Sequence, residues 1–192
     1  GDDGGAISVS CCTFENNFAS FSGGALFAGS RNNGMQISQS NFSGNMATYG
    51  GAIHFSRSNV NANVSFCNFE RHTASLYGGV LFVDSNNDVM VIAHSNFTDN
   101  VAMSSGGAIY LNSTNDDLTL AFNVFESNAA NEFGGAVFAS TANDAMTLFH
   151  SVFAGNAAAH GGALYLRSNN ANMDVFLCLF ESNSALDQSG GA

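Results

Sequence analysis

The sequence predicts an all-β fold, a parallel β-helix or β-solenoid of about seven coils with 27–28 residues each. A pair of glycines recurs at this spacing along the chain, and a phenylalanine recurs at the same spacing between the pairs. Apolar and polar residues alternate within the repeats, as in residues 107–111 and 118–122, which is the period of a strand. Since Gly and Asn clusters interrupt every potential apolar stripe of a helix, we expect strands and turns only.

The glycine pairs set the frame of the repeats. They begin at Gly4, Gly23, Gly50, Gly78, Gly106, Gly134, Gly161 and Gly190. They divide one solenoid segment, residues 1–192, into a truncated first coil at 4–22 and full coils at 23–49, 50–77, 78–105, 106–133, 134–160 and 161–189. Three short strands joined by turns account for one coil, and successive coils stack at about 4.8 Å. We expect glycine at the bend because a side chain would not fit there.

Stacking places equivalent residues above one another in columns. The inward phenylalanine column is Phe14, Phe42, Phe69, Phe97, Phe125, Phe153 and Phe180. Three residues after each phenylalanine stands an asparagine, replaced once by His72, and a second asparagine column is Asn32, Asn59, Asn87, Asn115, Asn143 and Asn170. We expect these asparagines in turns with left-handed backbone, where their amides bond the next coil. Strand parity turns further apolar pairs inward, for example Ile109 with Leu111 and Leu118 with Leu120.

Alternate coils differ, so that the underlying unit is a pair of coils. The residue after the phenylalanine is acidic in odd coils and neutral in even coils: Glu15, Glu70, Glu126 and Glu181 against Ser43, Thr98 and Ala154. Because like charges directly opposite each other destabilise a ladder, this two-coil super-repeat keeps the carboxylates about 9.6 Å apart.

The combination of G-G-A-[ILV] with F-x-x-N resembles the repeats of chlamydial polymorphic outer-membrane proteins. The first motif stands at Gly4–Ile7, Gly23–Leu26, Gly50–Ile53, Gly106–Ile109, Gly134–Val137 and Gly161–Leu164, with a G-G-V-L variant at Gly78–Leu81. The resemblance implies a right-handed parallel β-helix, displayed at the cell surface as the passenger domain of an autotransporter and acting as an adhesin. His72 departs from the F-x-x-N pattern.

The charge balance excludes several classes of function. The chain has 15 Asp and Glu against 4 Lys and Arg, a net charge of −11, so phosphate backbones and anionic lipid surfaces would repel it. No apolar run is long enough for a transmembrane helix. We therefore expect neither a nucleic-acid partner nor a membrane-spanning helix.

Enzyme chemistry is also weakly supported, and we expect no catalytic residue, metal or cofactor. The four Arg are scattered, and His94 and His150 share a column without a nucleophile beside them. An aspartate directly follows the second asparagine column in three successive coils, at Asp88, Asp116 and Asp144, with Asp117 adjacent. Such a row could hold calcium, but a solvated turn is the favoured interpretation.

The cysteines predict free thiols rather than disulfides. Cys12 and Cys67 share a column about 9.6 Å apart, beyond the reach of a bridge, and adjacent Cys11 and Cys12 point to opposite faces. We expect the four thiols, including Cys178, to be buried and inert.

Two kinds of surface site remain as candidates. An outward column of rings, flanked by small alanines, predicts a flat apolar strip on which a polysaccharide or protein could bind, or which other parts of the parent chain or another copy would cover. Its members are Phe27, His54, Phe82, Tyr110, Phe138 and Tyr165. Candidate N-glycosylation sites are Asn41, Asn63, Asn96 and Asn112.

These observations favour a non-enzymatic extracellular β-solenoid, a surface adhesin, stalk or fibre-forming scaffold. It would bind partners through its lateral faces or assemble end to end. Because the chain starts within a truncated coil and stops at Gly191–Ala192 as another strand begins, we expect a segment of a longer repeat protein. Its partners would then be further repeats, other copies, or host or matrix polysaccharide and protein. The alternative is a β-helix protein that binds or degrades polysaccharide.

Overall fold

The computed structural model describes residues 7–189, which form a parallel β-solenoid of strands and turns. Each full coil contributes four short strands, rather than the predicted three, to four parallel sheets along the solenoid. About six turns are stacked, because the truncated first coil contributes strands to only two sheets; the expected seven coils are thus six turns and a partial one. The outermost glycine pairs, at Gly4 and Gly190, and the chain end Gly191–Ala192 lie outside the described residues.

We number the sheets in the order in which the chain visits them within a coil. Sheet 1, directly after each glycine pair, contains β3 (Leu26–Ala28), β7 (Ile53–Phe55), β11 (Leu81–Ser85), β15 (Ile109–Ser113), β19 (Val137–Thr141) and β23 (Leu164–Ser168). Sheet 2 contains β1 (Ser8–Ser10), β4 (Gln36–Ser38), β8 (Asn63–Ser65), β12 (Val91–Ala93), β16 (Thr119–Ala121), β20 (Thr147–Phe149) and β24 (Asp174–Phe176).

Sheets 3 and 4 complete the coil. Sheet 3, which carries the phenylalanine column, contains β2 (Thr13–Glu15), β5 (Asn41–Ser43), β9 (Asn68–Glu70), β13 (Asn96–Thr98), β17 (Val124–Glu126), β21 (Val152–Ala154) and β25 (Leu179–Glu181). Sheet 4 contains β6 (Met46–Tyr49), β10 (Thr73–Tyr77), β14 (Val101–Ala102), β18 (Ala129–Ala130), β22 (Ala157–His160) and β26 (Ser184–Ser189). Residues 7–189 include no helix that could cross a bilayer.

The core is a set of inward columns that follow the repeat register. Phe97 pairs with Phe69 on one side and Phe125 on the other, and the rings of successive coils stack at 4.7–4.9 Å. These rings are fully buried, as are the predicted pairs Ile109 with Leu111 and Leu118 with Leu120. The predicted inward columns are confirmed, and each stacked ring contributes about 1 kcal/mol beyond its burial.

The asparagine columns bond the coils together, but not from left-handed turns. Asn128 Oδ1 accepts the Asn100 backbone N–H (3.1 Å) and the Asn100 Nδ2 group (2.9 Å). Its own Nδ2 donates to the Phe97 carbonyl at 2.9 Å. The residue with positive φ is the preceding one, Ser127, at 54°. The expectation that asparagine occupies the left-handed turn is therefore wrong, whereas its amide does bond the next coil.

The glycine pairs stand where sheet 4 turns into sheet 1. The first glycine of a pair has a positive φ, 69° at Gly106. The second, Gly107, lies directly against the Gly135 carbonyl of the next coil, so a Cβ at Gly107 would overlap that oxygen. The close approach of two backbones therefore excludes any side chain at the second position.

Candidate binding surfaces

The predicted aromatic strip is not an exposed platform. Phe27 is 55% exposed, but His54, Phe82, Tyr110 and Phe138 are at most 8% exposed. A second set of rings, immediately before the glycine pairs, covers them: Tyr49, Tyr77, Phe133 and His160. Because the turn at the glycine pair brings the outer faces of sheets 4 and 1 together, the chain buries its own strip. The sequence signal for this was the ring that directly precedes four of the eight glycine pairs.

A groove of about 310 Å³ opens beside these covered rings. Its aromatic walls are Phe21, Tyr49, Tyr77, Phe82 and Tyr110, and its polar residues are His54, Asp84 and Asn112. Asp84 Oδ1 accepts Asn112 Nδ2 at 2.9 Å and Ser85 Oγ at 3.2 Å, while Oδ2 lies 3.5 Å from Arg57 Nε. The groove therefore combines rings with one oriented carboxylate.

His54 lies within the covered ring column between Phe27 and Phe82, with ring centroids 5.1 and 4.9 Å away. Both imidazole nitrogens are buried without a hydrogen-bond partner. Burial lowers the pKa of His54 to about 4, against the opposing field of Asp84. The ring is therefore neutral at pH 7 and acts as an aromatic wall rather than a cation.

An exposed ladder of rings, which the sequence analysis missed, runs along the turn between sheets 2 and 3. Phe66, His94, Phe122 and His150 stack at 4.7–5.0 Å with interplanar angles of 1–5°. Phe66 is 60% exposed, and all four residues have left-handed backbone with φ of 48–54°. The sequence shows that His94 and His150 share a column. Phe66 and Phe122 stand at the same repeat position, and this spacing was the signal from which the whole ladder could have been predicted.

A second groove, of about 590 Å³, lies beside the start of this ladder. Phe66 and His94 line it together with outward asparagines of sheet 3, Asn41, Asn68 and Asn96. Asn68 Nδ2 donates to Asn41 Oδ1 at 3.1 Å, so the amides form a row along the solenoid. This groove is more polar than the first and contains exposed rings at one wall.

The four candidate glycosylation sites differ in accessibility. Asn96 is exposed, whereas Asn41, Asn63 and Asn112 are half-buried in strands. The Asn112 amide is engaged by Asp84. If the protein is glycosylated, we expect Asn96 to carry the sugar first.

The acidic residues that follow the second asparagine column accept hydrogen bonds from the backbone of the next coil. Asp88 Oδ1 accepts the Asp116 N–H at 3.1 Å, Asp116 Oδ1 accepts the Asp144 N–H at 3.0 Å, and Asp144 Oδ1 accepts the Ala171 N–H at 2.8 Å. Asp117 is exposed beside the row. Within residues 7–189 no group of three or more His, Cys, Asp or Glu side chains could hold a metal ion.

The four cysteines are free thiols in the structure, but only one of them is buried. Cys11 is exposed, Cys12 and Cys178 are half-buried, and Cys67 is buried in the core. Burial raises the pKa of Cys67, against hydrogen bonds to the backbone of Ser40 and Ser65. The expectation that all four are buried is therefore wrong for Cys11, which lies on the solvent side of the turn after β1, and for Cys12 and Cys178, which are only half-buried.

We expect native protein to react with a thiol reagent at Cys11 first, and at Cys67 on the order of 100-fold more slowly, because Cys67 must first be exposed by opening of the core. Mass spectrometry of peptides after timed alkylation measures both rates. Denatured, unreduced protein should take up four labels, matching the four free thiols. Equal native rates at the two sites would contradict the burial of Cys67.

His72 replaces asparagine in the ladder and performs only part of its function. His72 Nδ1 accepts the Asn45 N–H at 3.0 Å, and the His72 N–H donates to Asn100 Oδ1 at 3.0 Å. Its Nε2 is buried without a hydrogen-bond partner. Burial lowers the pKa of His72 to about 4, against the backbone groups of Asn45 and Phe42. The side chain is therefore a neutral structural acceptor.

We expect the stability of the protein to fall as pH falls from 6.5, the ordinary pKa of histidine, to about 4, the pKa of His72 in the folded protein. In this window the unfolded chain binds a proton that the folded protein does not, so His72 alone costs up to about 3 kcal/mol at the acid end. Urea unfolding at several pH values measures the slope.

The matched variant is His72→Asn, which restores the amide ladder. We expect this variant to lack the loss of stability that His72 causes at acid pH. At pH 7 its free energy of unfolding should be higher by about 1 kcal/mol, because no buried nitrogen is left unpaired. His54, whose pKa is also lowered to about 4, remains in both proteins. Identical pH slopes for the variant and the parent would show that His72 is not the titrating group.

Comparison with known proteins found one family whose repeat matches segments of this solenoid. The model of the Chlamydia polymorphic membrane protein repeat matches residues 12–29, 39–56 and 94–112. Each match runs from the phenylalanine strand of sheet 3 through a glycine pair into sheet 1, and the matches at 39–56 and 94–112 also include a strand of sheet 4. Neither the comparison with curated proteins nor that with solved structures found a match. The chain is thus similar to the Chlamydia polymorphic membrane protein repeat at three places along its solenoid, which confirms the resemblance drawn from its motifs.

Proposed function

We propose that the protein is a non-enzymatic surface scaffold of adhesin type, which presents its outer faces to partners along a rigid solenoid. The observation that carries this proposal is the contrast between the inward and the outward positions of each coil. The inward phenylalanine column repeats in every coil and its amide ladder departs from asparagine only at His72, whereas outward positions such as Glu126 and Thr98 vary between coils. A surface that varies on a constant frame suits recognition rather than catalysis.

The matched repeats support this proposal, since their family is of a non-enzymatic adhesin type and implies an outer-membrane or surface location. Contact would occur through the exposed ring ladder and the groove of about 590 Å³ beside it, rather than through the covered strip. Substitution of Tyr110 or Phe138 removes a buried ring, so loss of attachment by such variants reports on stability and not on adhesion.

Beads coated with the purified protein test adhesion to cultured cells. We expect attachment by beads carrying the parent or the conservative variant Gly29→Ala, whose added Cβ meets nothing closer than 3.8 Å. Beads carrying Gly107→Ala, which disrupts the stacking of coils, should not attach. Equal attachment by all three proteins, or attachment by none, would refute adhesion by the folded solenoid. Electron microscopy of the same material distinguishes single rods from end-to-end filaments.

A second candidate, polysaccharide binding, is favoured by the row of amides and exposed rings in the groove beside Phe66. Affinity electrophoresis in gels containing neutral polysaccharides tests it. Phe66→Ser should abolish retardation, while the control Phe18→Ser, at another exposed ring, should not. Retardation that both variants retain would assign binding to another face.

A further inference from the structure

The groove of about 310 Å³ at the outer corner of sheets 4 and 1 has the composition of a site for a small organic cation. Its rings do not form one flat stack: Tyr49 is tilted by 55° from Phe82, with centroids 5.2 Å apart, while Tyr110 stacks on Tyr77 at 4.5 Å. Rings inclined to one another line a concavity from several sides, and its volume lies at the lower end of ligand sites.

The charged groups at this groove favour a positive ligand. Asp84 is the carboxylate in its lining, and the amide of Asn112 and the hydroxyl of Ser85 orient it. His54 adds no positive charge at neutral pH, because burial lowers its pKa to about 4. The whole chain carries a net charge of −11. An anionic sugar or phosphate would therefore be repelled.

Arg57 is the group that a ligand would compete with. Its Nε lies 3.5 Å from Asp84 Oδ2, but its side chain is 69% exposed, so this ion pair is weak and easily displaced. A cation held between ring faces and Asp84 gains both ring and carboxylate interactions in a partly desolvated site. A neutral sugar would gain hydrogen bonds at Asp84, but it carries no charge and would gain no cation–π attraction from the ring faces.

We propose that the groove lined by Tyr49, Tyr77, Phe82, Tyr110 and Asp84 binds an organic cation with N-methyl groups, of the quaternary ammonium class. A quaternary ammonium offers no N–H donor, so ring faces and a nearby carboxylate are the recognition elements available to it. This site goes beyond the proposed scaffold function. Residues of this chain alone form the groove, so it does not depend on which partner the outer surface contacts.

Titration with choline chloride, followed by the NMR shifts of tyrosine ring protons in the intact chain, tests the proposal. The matched probe is 3,3-dimethylbutan-1-ol, which has the shape of choline without its charge. We expect saturable shifts with choline and at least about tenfold weaker binding of the neutral alcohol. Equal affinities would show that the groove is only apolar, and shifts with neither probe would overturn the proposal.

Three variants locate the interaction. Asp84→Asn should weaken choline binding about fivefold, and Arg57→Gln should strengthen it about threefold by removing the competing cation. Asp99→Asn, at an exposed acid elsewhere, is the control for general attraction to an acidic surface. Equal weakening by Asp84→Asn and Asp99→Asn would refute a specific site.

The ring contribution needs its own control because the groove rings are packed. Tyr77→Phe should retain binding and Tyr77→Leu should lose at least about fivefold, while Tyr165→Leu, in the same ring cluster but outside the groove lining, should bind as the parent does. Circular dichroism confirms that each variant is folded. Undiminished choline binding by folded Tyr77→Leu protein would exclude the ring faces from recognition.

Discussion

Gly107→Ala is expected to destabilise the protein by at least about 4 kcal/mol, or to prevent folding of the coils around it. The added Cβ would overlap the Gly135 carbonyl oxygen and stand 2.7 Å from the Ala129 carbonyl oxygen. Both obstacles are backbone, so relief requires separation of two coils and not a rotamer change. Urea unfolding followed by far-UV circular dichroism measures the effect, and hydrogen exchange locates it in the neighbouring strands.

Gly29→Ala is the matched control for this change. The nearest atom to its added Cβ is Asn32 Nδ2 at 3.8 Å, and Gly29 is not among the glycines with positive φ. We expect the free energy of unfolding to change by no more than about 0.5 kcal/mol. Any increase would come from the lower conformational entropy of the unfolded chain with alanine. If Gly107→Ala unfolded at the same urea concentration as Gly29→Ala, the tight contact between coils at the glycine pair would be wrong.

Asn128→Ala is expected to cost about 3–5 kcal/mol, because it removes one amide from the middle of a buried ladder. The change leaves the Asn100 N–H and Asn100 Nδ2 without their acceptor, and the Phe97 carbonyl without the amide donor. It also leaves Asn156 Oδ1 without one of its donors. Each buried polar group that loses its partner retains its desolvation cost. Urea unfolding at pH 7 measures the difference.

Asn131→Ala is the corresponding control on the surface. Asn131 is exposed, and its Nδ2 donates to the Met103 carbonyl at 2.9 Å in the preceding coil. Because water can replace this bond, we expect a loss of about 0.5 kcal/mol. Similar losses for the two variants would mean that the buried amide ladder contributes no more than a surface hydrogen bond.

The repeat made the core predictable from the sequence alone. A period of 27–28 residues allows only one register in which Phe97 lies between Phe69 and Phe125, and the structure has that register. The identity of the stacking residues follows for the same reason, since each column is a set of equivalent positions. The amide function of Asn128 could be inferred in the same way, because stacking places its side chain beside equivalent amides and buried polar groups are hydrogen-bonded.

The surface was less predictable, because parity gives the direction of a side chain and not what covers it. Tyr110 points outward as expected, yet Tyr77 lies against it. That contact depends on how sharply the chain turns at Gly106, an angle that no periodicity encodes. The exposed ladder of Phe66 and His94 was missed for a related reason, since strand parity does not describe the direction of side chains in a turn.

The sequence by itself determined the solenoid, its register, its inward columns and its likeness to a surface-protein repeat, because stacking makes every equivalent position face its copy in the next coil. Only the tertiary structure decided that the coil has four sheets, that the aromatic strip is covered and that a groove with Asp84 opens beside it. These features arise where the outer faces of two sheets meet across a turn. Contacts between positions that are not equivalent in the repeat depend on the angle of that turn, which the repeat period leaves open.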